Sequence, residues 1–179
     1  MAGLHDLRGS DIVLLLLAAP TEVEDARGRI NGVTRLEKLL YLAERETRVM
    51  DSVSAERLRF KAYNYGPFSK DVYQAVEVLE EAGFVTEERA YDGQTIDSLE
   101  DLDVTGAVEG DEYVERRFAV TAKGEAVANL LSRLHPNVAK QLSEIKDKYA
   151  GRNLSSLIGY VYRTYPDSAV NSVIAHRYK

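Results

Sequence analysis

The stretch from Ile12 to Ala19 is apolar at every position, with Ser10 before it and Pro20 after it. A helix with one wet face needs polar residues every three or four positions. This run offers none, so it predicts a helix enclosed on all sides by other elements, with Ser10 as its N-cap and Pro20 as its stop. The 179-residue chain is long enough for a core that stands without disulfides or a structural metal. At eight residues the run falls far short of the roughly 20 that span a bilayer. Residues 1–11 contain Asp6 and Asp11 and lack the basic start of an export signal, so the expected location is the cytoplasm. The absence of Cys removes disulfide scaffolds, thiol nucleophiles, Cys-based zinc sites and iron–sulfur clusters together.

Further helices follow from capping signals and periodicity. Thr34-x-x-Glu37 reads as a capping box, followed by Leu36, Leu39, Leu40 and Ala43 as the core stripe and by Arg35, Lys38, Glu44 and Arg45 on the wet side. Residues Arg57 to Tyr65 change to a period of two and read as an extended segment ended by Gly66-Pro67. Ser69 caps a third helix, Phe68 staples onto Tyr73, and Gly83 ends that helix in the left-handed conformation. Phe84 to Arg89 and Tyr113 to Val120 read as two strands, joined by a long Asp-, Glu- and Gly-rich connection from Ala90 to Glu112 that is expected to be mobile. Three helices close the chain. Thr121 caps one containing Val127, Leu130, Leu131 and Leu134; Pro136 opens the next, and Asn153 caps the last.

Helix, helix, short extended segment, helix and hairpin is the order of a winged helix-turn-helix. The expected fold is therefore mainly α with a small β-hairpin (α+β): a winged-helix domain over 10–134, with an acidic wing insertion at 90–112, and a helical extension over 135–179. Three stretches carry a resemblance: 34–42 (Thr-Arg-Leu-Glu-Lys-Leu-Leu-Tyr-Leu), 60–69 (Phe-Lys-Ala-Tyr-Asn-Tyr-Gly-Pro-Phe-Ser) and 161–166 (Val-Tyr-Arg-Thr-Tyr-Pro). On these the chain resembles the YwgA-like family of prokaryotic winged-helix proteins. More distantly, the Lys-Leu-Leu-Tyr and Tyr-Gly-Pro elements are similar to the Panacea (SocA-like) domain, which is associated with antitoxins. The acidic insertion and the three terminal helices are expected to lie outside the second resemblance, and neither resemblance carries over a catalytic residue.

Charge is unevenly spread. Residues 1–69 carry ten basic and ten acidic side chains, residues 70–115 two and fifteen, and residues 116–179 eleven and four, within a total of -6. The third helix would expose Lys70 and Gln74 but also Asp71, Glu77, Glu80 and Glu81, a set that DNA repels. For an anionic partner the alternating face of Arg57, Arg59, Lys61, Tyr63 and Tyr65 is the better candidate; the alternative is that the two tyrosines pack under the third helix and the arginines pair with the acidic middle segment. Arg116 and Arg117 on the wing and Lys123 on the next helix could reach a DNA backbone. The arginines at 116 and 117 could equally pair across the hairpin with Glu87 or Glu88. Lys140, Lys146, Lys148 and Arg152 read as a solvated face.

No nucleophile elbow, phosphate loop, dinucleotide fingerprint or paired-histidine motif occurs. The expectation is a non-enzymatic protein without cofactor or metal. It would bind double-stranded DNA as a regulator or, alternatively, act as an antitoxin-like adaptor on a protein partner such as a toxin. Tyr160, Tyr162 and Tyr165 on the last helix suggest a homodimer through the terminal helices.

Overall fold

The computed structural model describes residues 6–91 and 114–178. The acidic connection expected between Ala90 and Glu112 therefore lies outside the described residues, apart from its first two. The fold is mainly helical, with small sheets. Helix α1 (Gly9–Ala18) is central, as its all-apolar run predicts: every residue from Ile12 to Leu17 is buried, and α3 (Lys70–Glu81), α4 (Ala122–Leu134) and α5 (Pro136–Tyr149) pack around it. Its cap differs from the expected Ser10. The N-cap is Arg8, whose backbone N–H donates to the Asp11 carboxylate at 2.8 Å, and Ser10 is buried inside the first turn.

Helix α2 (Val33–Glu46) is the second central element, buried on nearly all sides from Val33 to Ala43. It does not use the expected capping box. Gly32 is the N-cap, at φ 96°, a left-handed conformation open to glycine at no steric cost. The backbone N–H of Gly32 is committed to the carbonyl of Arg116 at 2.8 Å. That bond continues a pairing absent from the sequence reading: β2 (Arg29–Asn31) lies antiparallel to β7 (Val114–Val120), which in turn pairs with β6 (Val85–Tyr91). The expected hairpin is thus part of a three-stranded sheet in the order β2-β7-β6. Two short ladders complete the β structure. One joins β1 (Leu7–Arg8) to β3 (Val53–Ala55) in parallel; the other is the tight hairpin of β4 (Lys61–Tyr63) and β5 (Gly66–Phe68).

The ends of α3 follow the sequence closely. Phe68 meets Tyr73 at 5.6 Å between ring centroids, the predicted staple. Gly83 (φ 75°) and Phe84 donate to the carbonyls of Glu80 and Leu79, both at 2.9 Å, which is a Schellman termination. Thr121 and Asn153 cap α4 and α6 (Leu154–Thr164) through side-chain oxygens at 3.0 and 2.7 Å. Of the apolar residues expected in α4, Val127 and Leu131 pack partly buried against the core. Gly124 and Ala128 face the core, while Leu130 and Leu134 are 53% and 49% exposed. The close approach explains the choice: a Cβ on Gly124 would stand 2.0 Å from the carbonyl oxygen of Phe84.

Residues of α5 and α6 share one hydrophobic cluster with α1 and α2. Lys146 joins these elements and is fully buried, contrary to the solvated face expected of it. Its ammonium donates to the carbonyls of Leu17 and Ala19 at 2.7 and 3.2 Å, at the C-terminal end of α1, where a helix favours a cation. Burial lowers its pKa to about 8. The folded state therefore releases this proton before the unfolded chain does, so Lys146 raises stability with pH between about 8 and its ordinary value of 10.5. Tyr162 and Tyr165 are pushed up to about 12, mainly by burial, which reverses the trend above pH 10. Urea unfolding should thus show stability climbing from pH 8 to 10 by at most about 1.4 kcal/mol per pH unit, then falling. The rise should be absent in Lys146→Met.

Candidate functional site

Two consecutive residues of α2, Glu37 and Lys38, are each 1% exposed. Lys38, expected on the wet side, donates from Nζ to the carbonyl of Pro67 at 3.1 Å. Glu37, expected in a capping box, accepts the backbone N–H of Ser69 at 3.0 Å on Oε1. Pro67 and Ser69 stand two apart on an extended chain, so their backbone groups present to the same side. Adjacent side chains of α2 grip both and thereby set where α3 begins. Gly66 makes room for the other side of this turn: it sits at φ 90°, and a Cβ there would lie 2.6 Å from Cε1 of Tyr162 on α6. The three resembling stretches therefore meet at one place. A buried acceptor left without its donor costs the desolvation of that group, so Lys38→Met, which leaves the Pro67 carbonyl unsatisfied, should destabilise by about 1–3 kcal/mol in chemical unfolding. A loss below about 1 kcal/mol would mean that the grip is peripheral.

The expected basic-aromatic face from Arg57 to Tyr65 is not one continuous surface. Only Lys61–Tyr63 forms a strand there, and the chain from Arg57 to Phe60 is irregular. Arg57 donates to the carbonyl of Val53 at 3.2 Å. Arg59 binds Asp71 in α3 through Nε and Nη2 at 3.0 and 2.8 Å, and its backbone N–H reaches the same carboxylate. That guanidinium holds the Asp71 carboxyl below its usual range. Lys61 lies over the rings of Tyr63 and Phe68, at 5.6 and 5.8 Å. Tyr63 is half-exposed, and Tyr65 packs partly against the core.

The wing cations are engaged in a similar way. Arg116 forms a bidentate pair with Glu87, at 2.6 and 3.0 Å, one step diagonally across the strands. The guanidinium keeps Glu87 below the usual carboxylate range. Arg117 is exposed, opposite Glu88. Lys123 donates to the carbonyl of Ala82 at 2.8 Å, at the C-terminal end of α3. Lys70 and Gln74 are exposed on α3. The structure thus brings Arg59, Lys70 and Gln74 together around α3 and sets Arg116, Arg117 and Lys123 on or beside β7, without joining the two groups into one cationic surface.

The terminal tyrosines work inside the chain. Glu46, at the end of α2, is met by the hydroxyls of Tyr149, Tyr160 and Tyr165 at 2.6, 2.8 and 3.3 Å and by Lys148 at 3.0 Å. Burial alone would raise the Glu46 carboxyl; Tyr149, Lys148 and Tyr160 outweigh it and hold the group below its usual range. Tyr162 is bonded to Ser172 at 2.8 Å. This hub was illegible in the sequence, because its five members come from three helices and one loop junction.

The C-terminal half of α3 leaves an acidic surface to solvent. Glu77, Glu80 and Glu81 are exposed, and among the described residues no Lys or Arg nitrogen lies within 4.0 Å of their carboxylates. Val78 between them is 54% exposed. Glu77, Val78 and Glu81 border a cleft of about 550 Å³ that also takes in Glu56, Gln74 and the Arg59–Asp71 pair. A larger concavity of about 1060 Å³ lies between the end of α1, β7, α4 and α5, where small residues such as Ala18, Ala119 and Ala128 stand among charged ones, Arg27, Glu125 and Lys140. Among the described residues no group of three or more His, Cys, Asp or Glu could hold a metal, and no helix is long and apolar enough to cross a membrane.

The arrangement defines a helix-rich α+β scaffold that offers an acidic helix face and a groove of mixed lining. The chain belongs to the antitoxin SocA-like, Panacea domain family, whose model matches residues 36–167. The match begins just before Glu37 and Lys38 and runs through α6. It is thus the more distant of the two resemblances that the comparison supports, and it takes in the terminal helices expected to lie outside it. No curated protein and no solved structure matches the chain.

Proposed function

We propose that this protein is an antitoxin-like, non-enzymatic factor that acts by binding a protein partner such as a toxin. The family match carries this reading, because the family is described by an antitoxin. Charge supports it. Of the cations offered to DNA, Arg59, Arg116 and Lys123 are spent on Asp71, Glu87 and the end of α3. The helix order and the hairpin support a winged-helix scaffold whose third helix, facing outward with Glu77, Glu80 and Glu81, is suited to protein contact rather than to a phosphate backbone. The exposed Leu130 and Leu134 of α4, rather than the terminal tyrosines, support the expected homodimer.

The direct test is growth rescue. Candidate toxins cloned from the genes adjoining this one should arrest growth alone, and co-expression of this chain should restore it through a stoichiometric complex. Steeply salt-dependent binding to duplex DNA that is lost in Arg57→Ala/Arg59→Ala/Lys61→Ala, with no protein complex formed, would instead establish a DNA-binding regulator.

A further inference from the structure

The last two turns of α3 are built against their own electrostatics. A helix C-terminus carries partial negative charge and favours Lys, Arg or His nearby. Here Glu80 and Glu81 occupy that position, Glu77 stands one turn earlier, and α3 has no basic residue in its last turn. The carboxylates at i and i+4, Glu77 and Glu81, also repel each other. Lys123 reaches the Ala82 carbonyl but none of the three carboxylates. The aliphatic side chain of Val78 is left open in the middle of this charge, although the opposite face of α3 has Val72, Val76 and Leu79 buried. The unfavourable charge and the uncovered valine occupy one surface, and a single kind of contact relieves both.

The geometry points to the α3 cleft bordered by Gln74, Glu77, Val78 and Glu81 as the docking surface for a cationic amphipathic segment of the protein partner. Lysines or arginines of that segment meet Glu77 and Glu81, and its apolar residues cover Val78. Contact of this sort steers association and is weakened by salt. The inference rests on the antitoxin-like reading and names the surface through which it works.

The test uses the full chain and a fluorescein-labelled helical peptide of alternating Lys and Leu faces, read by anisotropy and by amide shifts in NMR. The peptide should shift amides between residues 74 and 82, bind at least tenfold more weakly to Glu77→Gln/Glu81→Gln, and weaken with added salt. A counterpart peptide with Glu in place of Lys should not bind. Equal affinity for the double variant, or shifts confined to residues 92–113, would overturn the assignment. Growth rescue separates the two levels. Rescue by the wild type that is lost in Glu77→Lys/Val78→Ser/Glu81→Lys, with an unchanged circular dichroism melt, supports the surface. Rescue that persists in that variant removes the surface and leaves the antitoxin reading standing, whereas failure of the wild type to rescue removes the reading itself.

Discussion

The point at which α3 begins depends on two buried charges. Glu37 and Lys38 hold the backbone at Ser69 and Pro67, and so fix the turn from which α3 starts. A polar backbone segment that passes beside a core must find partners or lose the hydrogen bonds it had in water. Pro67 has no N–H to offer, so its carbonyl is the group to satisfy, and Lys38 does so with a full charge. On the far side Gly66 admits the ring of Tyr162. The turn is thereby enclosed between α2 and α6.

Cations elsewhere in the molecule serve the same purpose. Lys146 sits at the end of α1, Arg35 donates to the carbonyls of Ala150 and Arg152 beyond α5, and Lys123 sits at the end of α3. Each supplies donors to carbonyls that a helix end or the turn after it leaves open. Glu46 shows the converse case, an anion at the C-terminal end of α2 made tolerable by three hydroxyls and an ammonium. The basic C-terminal third of the chain is therefore in good part an internal resource.

Where such compensation stops, the surface changes character. The carboxylates at the end of α3 are left without cations among the described residues, beside an open valine. Natural sequences are locally consistent except where function requires otherwise, and α3 combines regular caps and a well-packed inner face with an outer face that suits a partner better than it suits the isolated helix.

The sequence by itself determined the enclosed α1, the staple and left-handed glycine that bound α3, the two long strands and the caps of the last helices. These rest on periodicity and on side chains acting within a few residues of their own backbone. It also located the acidic charge on α3, because composition along a helix needs no tertiary information. Only the tertiary structure decided that Lys38 and Lys146 are buried, that Glu37 grips Ser69 instead of capping its own helix, that β2 joins the hairpin, and that Leu130 and Leu134 of α4 face outward while Leu131 packs inward. Each of these turns on a contact between residues far apart in the chain. A lysine or leucine at helical spacing reads the same whether its neighbour is water or a carbonyl from another element, so only the packing could say which it meets.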